Sequence, residues 1–246
     1  MSKPKKPIEP VVRCRPWTPE DRAARDKLFM KILNSPPPCY GRALDDALAF
    51  VAGAFRYKVR KGTSTPYLTH LLAVMAIVGE FGGSEEQMIA ALLHDALEDL
   101  EGVTREDLER RFGGAVRDMV VALSDTTEHP KPDWRTRKTL YLERLAGEGC
   151  WVKLVSAADK LHNVQCLIRD LRTHGDKVWT RFNAGREDQV WYYQAAREAL
   201  AHGWDGPLLD ELTETVTLLA RVAGNGARTD TTALAGKDDT ASLATS

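Results

Sequence analysis

The sequence lacks an apolar run long enough to span a membrane. Its basic opening, Met1-Ser2-Lys3-Pro4-Lys5-Lys6-Pro7, lacks the apolar stretch of a signal peptide. It has only 4 cysteines, Cys14, Cys39, Cys150 and Cys166, and none forms a CxxC pair. That spacing predicts reduced thiols in a cytoplasmic protein and speaks against a disulfide frame or a zinc knuckle. Charge of one sign is also missing. The formal net charge is -1, so no bulk field draws the chain to a nucleic acid or a membrane, and neither is an expected partner. An anionic ligand must therefore be met by a local basic cluster. No segment alternates apolar and polar residues, which excludes a substantial sheet, and no internal repeat is visible. The composition leaves the oligomeric state open.

What the chain does have is helical periodicity. Residues 1–17 are proline-rich and polar, and read as a mobile arm. Thr18-Pro19-Glu20-Asp21 starts a helix that runs to Leu33, where Pro36-Pro37-Pro38 follows. Further helices are expected over 41–58, 68–81, 104–112, 115–123, 134–145, 151–172, 187–202 and 207–222. A central helix is capped by Ser84-Glu85-Glu86-Gln87 and reaches Leu100. From Gly224 onward almost no large apolar residue remains, so disorder is expected to the end. The architecture read from these features is one all-α domain over residues 18–223, a bundle of about ten helices.

The stretch Ala90-Ala91-Leu92-Leu93-His94-Asp95-Ala96-Leu97-Glu98-Asp99-Leu100 carries the chemistry. On one continuous helix, His94, Asp95, Glu98 and Asp99 share a side. Three carboxylates beside an imidazole repel one another when half buried, and a bound cation relieves that repulsion. Their place late in a helix, where the macrodipole disfavours acids, points the same way. A plausible ligand set is His70, His94, Asp95 and Asp159, on three separate helices that a bundle must bring together. Two imidazoles with two carboxylates suit Mn, Fe or Zn, and the absence of thiolate ligands argues against structural zinc. Asp159 follows Val155-Ser156-Ala157-Ala158 and is expected to be buried, so it needs a partner. Asn163 shares its helix face, whereas Lys160 does not. His129 and His162 have no evident second ligand and read as structural or solvated. Two basic clusters can meet an anion: Arg60-Lys61, and Trp134-Arg135-Thr136-Arg137-Lys138 after Lys131.

His70, then His94-Asp95, then Asp159 resembles the H…HD…D pattern of the HD metal-dependent phosphohydrolase superfamily. Three blocks narrow the likeness: Arg60-Lys61-Gly62 with Pro66-Tyr67-Leu68-Thr69-His70, then Leu92-Leu93-His94-Asp95-Ala96-Leu97-Glu98-Asp99, then Ala158-Asp159-Lys160-Leu161-His162-Asn163. In order and at this spacing they resemble the hydrolase domain of RelA/SpoT proteins and the small alarmone hydrolases, over Phe55 to Leu171. The resemblance implies an all-α (p)ppGpp 3′-pyrophosphohydrolase domain holding one Mn²⁺, with Fe, Zn or another divalent ion as alternatives. It implies His70, His94, Asp95 and Asp159 as ligands, and Glu98 and Asp99 as the pair that positions the attacking water. Arg60, Lys61, Lys160 and Asn163 are the expected nucleotide contacts; from the residues alone, Tyr67 or another aromatic is a candidate to stack on the base, with a place in the core as the equal alternative for Tyr67. There are departures. The loop between Lys61 and Pro66 is one residue longer than in the long bifunctional enzymes, and Gln165 replaces an arginine shortly after Asn163. Two other functions fit the same residues: a phosphatase acting on another nucleotide, and a nucleotide-sensing module without turnover. Glu98 and Asp99 argue against the last, because a pure binder has no use for a water-activating pair.

Overall fold

The computed structural model describes residues 18–20, 23, 39–126 and 133–235, with side chains of the last helix to Gly224. The chain divides into two units, Met1–Tyr40 and Gly41–Ser246. In the first, Pro19, Glu20 and Ala23 are helical. The expected arm over 1–17, most of the first helix, Cys14, His129, Lys131 and the last residues of the tail lie outside the described residues.

The second unit is all helix. It opens with α1 (Arg42–Ala54), α2 (Leu68–Glu80) and α3 (Glu85–Leu93), followed by the single turn α4 (Ala96–Asp99). Then come α5 (Arg105–Phe112), α6 (Gly114–Leu123), α7 (Trp134–Gly147) and the long α8 (Cys150–His174). A 3₁₀ segment (Gly175–Arg181) leads to α9 (Arg186–Ala201) and α10 (Pro207–Ala235). Among the described residues the sole β feature is one antiparallel bridge, Val59 to Pro66, which closes the basic loop. The expected all-α class is what the structure has.

Local sequence explains the boundaries. Ser84 accepts from the Gln87 amide at 3.3 Å, and Gln87 Oε1 accepts from the Ser84 amide at 2.9 Å, a complete capping box. Thr104 and Asp107 build a second one on α5. Helix α3 then buries Ile89, Ala90, Ala91, Leu92 and Leu93 in succession. A helix apolar all round belongs in a core. Helix α8 does the same from Val155 to Leu161, and it packs against α2, α3, α6, α9 and α10. Two fully enclosed helix stretches therefore deliver His94 and Asp159 to the interior.

Two expectations need correction. The central helix is not continuous to Leu100. It ends at Leu93, Asp95 sits at φ -96°, ψ 1°, and a new turn starts at Ala96. Asp95 holds the N-cap position without a side-chain capping bond, because its carboxylate is drawn to Tyr67 and the histidines instead. Glu98 and Asp99 consequently lie in a separate four-residue turn, so the dipole of a long helix no longer bears on them. The last helix also runs past Val222, its backbone helical to Ala235. Large apolar residues are needed for packing and not for the backbone bonds of a helix.

Leu92 has no exposed surface. Leu92→Ala is expected to cost about 2–5 kcal/mol, and Ser84→Ala about 1 kcal/mol, both read as shifts of the guanidinium unfolding midpoint.

Candidate metal centre and its cavity

Four side chains converge where α2, the α3–α4 break and α8 meet. His70 Nε2 lies 3.2 Å from Asp159 Oδ1 and 3.8 Å from Asp95 Oδ2. His94 Nε2 lies 3.0 Å from Asp95 Oδ2 and 3.6 Å from Asp159 Oδ1. Ligands about 2.1 Å from one ion stand about 3.0 Å apart along octahedral edges and about 3.4 Å apart in a tetrahedron. The separations of 3.0 and 3.2 Å fall in that range, and those of 3.6 and 3.8 Å lie slightly above it. His70 and His94 are 2% and 5% exposed, so solvent does not compensate these groups.

The decisive atom is His94 Nε2. The other ring nitrogen, Nδ1, donates to the Ala91 carbonyl at 2.7 Å, inside the preceding turn. That bond puts a proton on Nδ1, so in the neutral ring the lone pair is on Nε2. Nε2 is buried and has no hydrogen-bond partner, although Asp95 is close. A buried lone pair aimed between two carboxylates fits a divalent cation. Without one, burial disfavours the charged imidazolium, but Asp95 and Asp159 outweigh it and hold the His94 pKa well above its usual value. Burial pushes His70 the other way. Asp95 and Asp159 are both depressed, against burial, chiefly by His94 for the first and by Lys160 for the second.

Each of the four side chains is held from behind. Tyr67 donates its hydroxyl to Asp95 Oδ2 at 2.6 Å, with its ring stacked on Phe55 at 5.4 Å. Asn163 Nδ2 donates to Asp159 Oδ1 at 2.6 Å, and Lys160 Nζ donates to Oδ2 at 2.7 Å. His70 Nδ1 meets His162 Nδ1 at 2.8 Å. Such outer hydrogen bonds fix ligand orientation and basicity.

A cavity of about 280 Å³ opens over the cluster, lined by all four residues and by Glu98, Lys138, Lys160 and Asn163. Glu98 Oε1 accepts from the Asp125 amide at 2.7 Å. Burial raises its pKa, and Asp95 and Asp125 add to that against the amide bond. Asp99 does not line this cavity and pairs instead with Lys58 at 3.6 Å. The expected substrate residues separate as well. Lys160 is engaged with Asp159 although adjacent residues on a helix diverge; its long stem curls back across the Tyr141 ring. Lys61 is bound to Asn183 at 2.7 Å near the surface. The Tyr67 ring has one face on Phe55, so its closest chemistry is with Asp95. Arg60 Nη2 donates to Asn163 Oδ1 at 2.5 Å, and Arg60 lines an adjoining pocket with Thr63, Thr65, Thr69 and Arg169.

Sequence reasoning passed over two residues and saw a third, Lys138, only as part of a basic run. His162, read as structural or solvated, contacts His70; its place three residues after Asp159 was the available signal. Lys138 is the one member of its basic cluster besides Trp134 that reaches the cavity, where it pairs with Asp125 at 3.1 Å. Asp125 gave no sequence signal, because only the fold brings it beside Glu98.

The family model described as HD domain matches residues 47–190, more than half of the 246-residue chain. The chain belongs to the HD-domain family. This HD-domain protein is 34% identical over 151 residues to a Drosophila melanogaster protein named guanosine-3′,5′-bis(diphosphate) 3′-pyrophosphohydrolase MESH1, covering 59% of this chain and 78% of that one. It is 36% identical over 159 residues to the Xenopus tropicalis protein of the same name, covering 63% and 81%. A solved structure described as a metazoan ortholog of SpoT that hydrolyzes ppGpp superposes with TM-score 0.60 and 28% identity, covering 75% of this chain and 97% of that chain.

His94→Ala removes the unpartnered lone pair. It is expected to abolish stoichiometric divalent-metal binding, read by calorimetric titration, while far-UV circular dichroism stays that of the parent.

Proposed function

We propose that this protein is a metal-dependent hydrolase that removes pyrophosphate from the 3′ position of (p)ppGpp-like alarmone nucleotides. The observation that carries the reading is the four-residue cluster with an unpartnered, buried His94 Nε2, set in a cavity that also holds Glu98 and Lys138. The similarity to proteins named for this activity supports it.

His70, His94, Asp95 and Asp159 would hold the cation, and Mn²⁺ is the first ion to test on this N/O set, ahead of Fe and Zn. When bound, such an ion lowers the pKa of coordinated water and polarises a phosphoryl oxygen. The chain supplies the rest. Glu98 is anchored by one oxygen to the Asp125 amide, and its raised pKa suits it to take the proton of an attacking water near neutral pH. Lys138 is held by Asp125 and flanked by the Tyr192 ring at 4.7 Å. Arg137 shares the same carboxylate at 2.5 Å, so the trio keeps one uncompensated positive charge to meet the departing pyrophosphate. Lys160 is committed to Asp159, and Asp99 to Lys58, so both act on the frame of the site. No described helix is long and apolar enough to cross a membrane. Cys39, Cys150 and Cys166 are free, which supports the cytoplasmic reading.

With Mn²⁺, pyrophosphate release from ppGpp is expected. Orthophosphate release from other phosphorylated nucleotides in its place would move the reading to a general nucleotide phosphatase, and binding without release would make the domain a sensor. Glu98→Gln is expected to lower kcat by about 10²–10⁴ with metal content unchanged.

A further inference from the structure

We propose that Arg60 and His162 are positioning residues for the metal centre, acting on two of its ligands from outside the cavity. The inference rests on the ligand set above but not on the identity of the substrate.

Two hydrogen-bond chains start at the Arg60 guanidinium. In the first, Arg60 Nη2 donates to Asn163 Oδ1 at 2.5 Å, and Asn163 Nδ2 donates to Asp159 Oδ1 at 2.6 Å. The amide is thereby oriented at both ends, since guanidinium only donates and carboxylate only accepts. In the second, Arg60 Nη1 stands 3.5 Å from His162 Nδ1, which is 2.8 Å from His70 Nδ1. One of those two imidazole nitrogens must donate. Arg60 can only donate to His162 Nδ1, so that nitrogen is the acceptor and His70 Nδ1 carries the proton. His70 then offers the lone pair of Nε2, the atom that faces Asp95 and Asp159. On His162 the proton goes to Nε2, where Cys166 Sγ lies at 3.6 Å. The rings of His70 and His162 are inclined by 29° with centroids 4.9 Å apart.

Arg60 is itself fixed by the loop it sits on. Its amide donates to the Thr65 carbonyl at 2.9 Å, and its carbonyl accepts from the Thr63 amide at 3.0 Å. Gly62, at φ +71°, lets the turn lie against Arg181; a Cβ there would stand 2.6 Å from Arg181 Cγ. The basic loop thus serves as a brace: one rigid guanidinium sets the tautomer of His70 and the rotamer of Asp159.

The test is Mn²⁺ affinity of the metal-free full-length protein with no nucleotide present, measured by competition with a chromogenic chelator. Arg60→Met and His162→Ala are expected to weaken binding by about 10- to 100-fold. His162→Asn, whose Oδ1 offers an acceptor in place of Nδ1, is expected to stay within about threefold of the parent. Thermal melts of the metal-free variants separate this from loss of fold. Parental affinity in folded Arg60→Met overturns the proposal, and so does a loss in His162→Asn equal to that in His162→Ala. Because nucleotide is absent, neither result depends on whether ppGpp is hydrolysed.

Discussion

Two carboxylates and two imidazoles from three separate chain segments are packed into one buried spot, and the rest of the structure arranges itself around that constraint. Gathering Asp95 and Asp159 out of water carries a desolvation cost and a mutual repulsion. The fold offsets part of this locally. Lys160 sits on one oxygen of Asp159, Asn163 on the other, and Tyr67 on Asp95. What these bonds leave uncompensated is the lone pair of His94 Nε2, and a cation supplies the missing charge. The helices that deliver the four groups are correspondingly rigid: α3 is enclosed through its last turn, and α8 through its middle.

The same constraint divides the cavity into two electrical halves. On one side stand the metal-site acids and imidazoles, and on the other Lys138 paired with Asp125, which Arg137 holds from outside the cavity. Asp125 joins the halves, because its amide holds Glu98 while its carboxylate holds Lys138. On the proposed function, a substrate that carries adjacent phosphates would meet cation and proton acceptor at one end and fixed positive charge at the other. The chain as a whole is near neutrality, so this polarity is local and owes little to long-range steering.

Much of this was legible in the amino-acid order. Helix-period patterning and capping signals such as Ser84 and Thr104 placed the starts of the described helices within a few residues, because caps are local hydrogen-bond chemistry. His70, His94, Asp95 and Asp159 were legible as a set because acids and histidines beside buried runs demand compensation, and the family likeness fixed their order. The break after Leu93 was not legible. Asp95 abandons its capping bond for Tyr67 and the histidines, and that exchange depends on contacts from another helix. Lys160 was misjudged for the opposite reason: ideal helix geometry ignores the reach of a flexible stem. Asp125 became visible only through tertiary placement, whereas His162 carried one sequence signal, its spacing from Asp159.

The central claim is that one cation sits among these four side chains. Anomalous diffraction from crystals equilibrated with Mn²⁺ tests it most directly. A single strong peak within coordination distance of His70 Nε2, His94 Nε2, Asp95 and Asp159 is the predicted result; no peak there, or full occupancy at another place in the molecule, would contradict it.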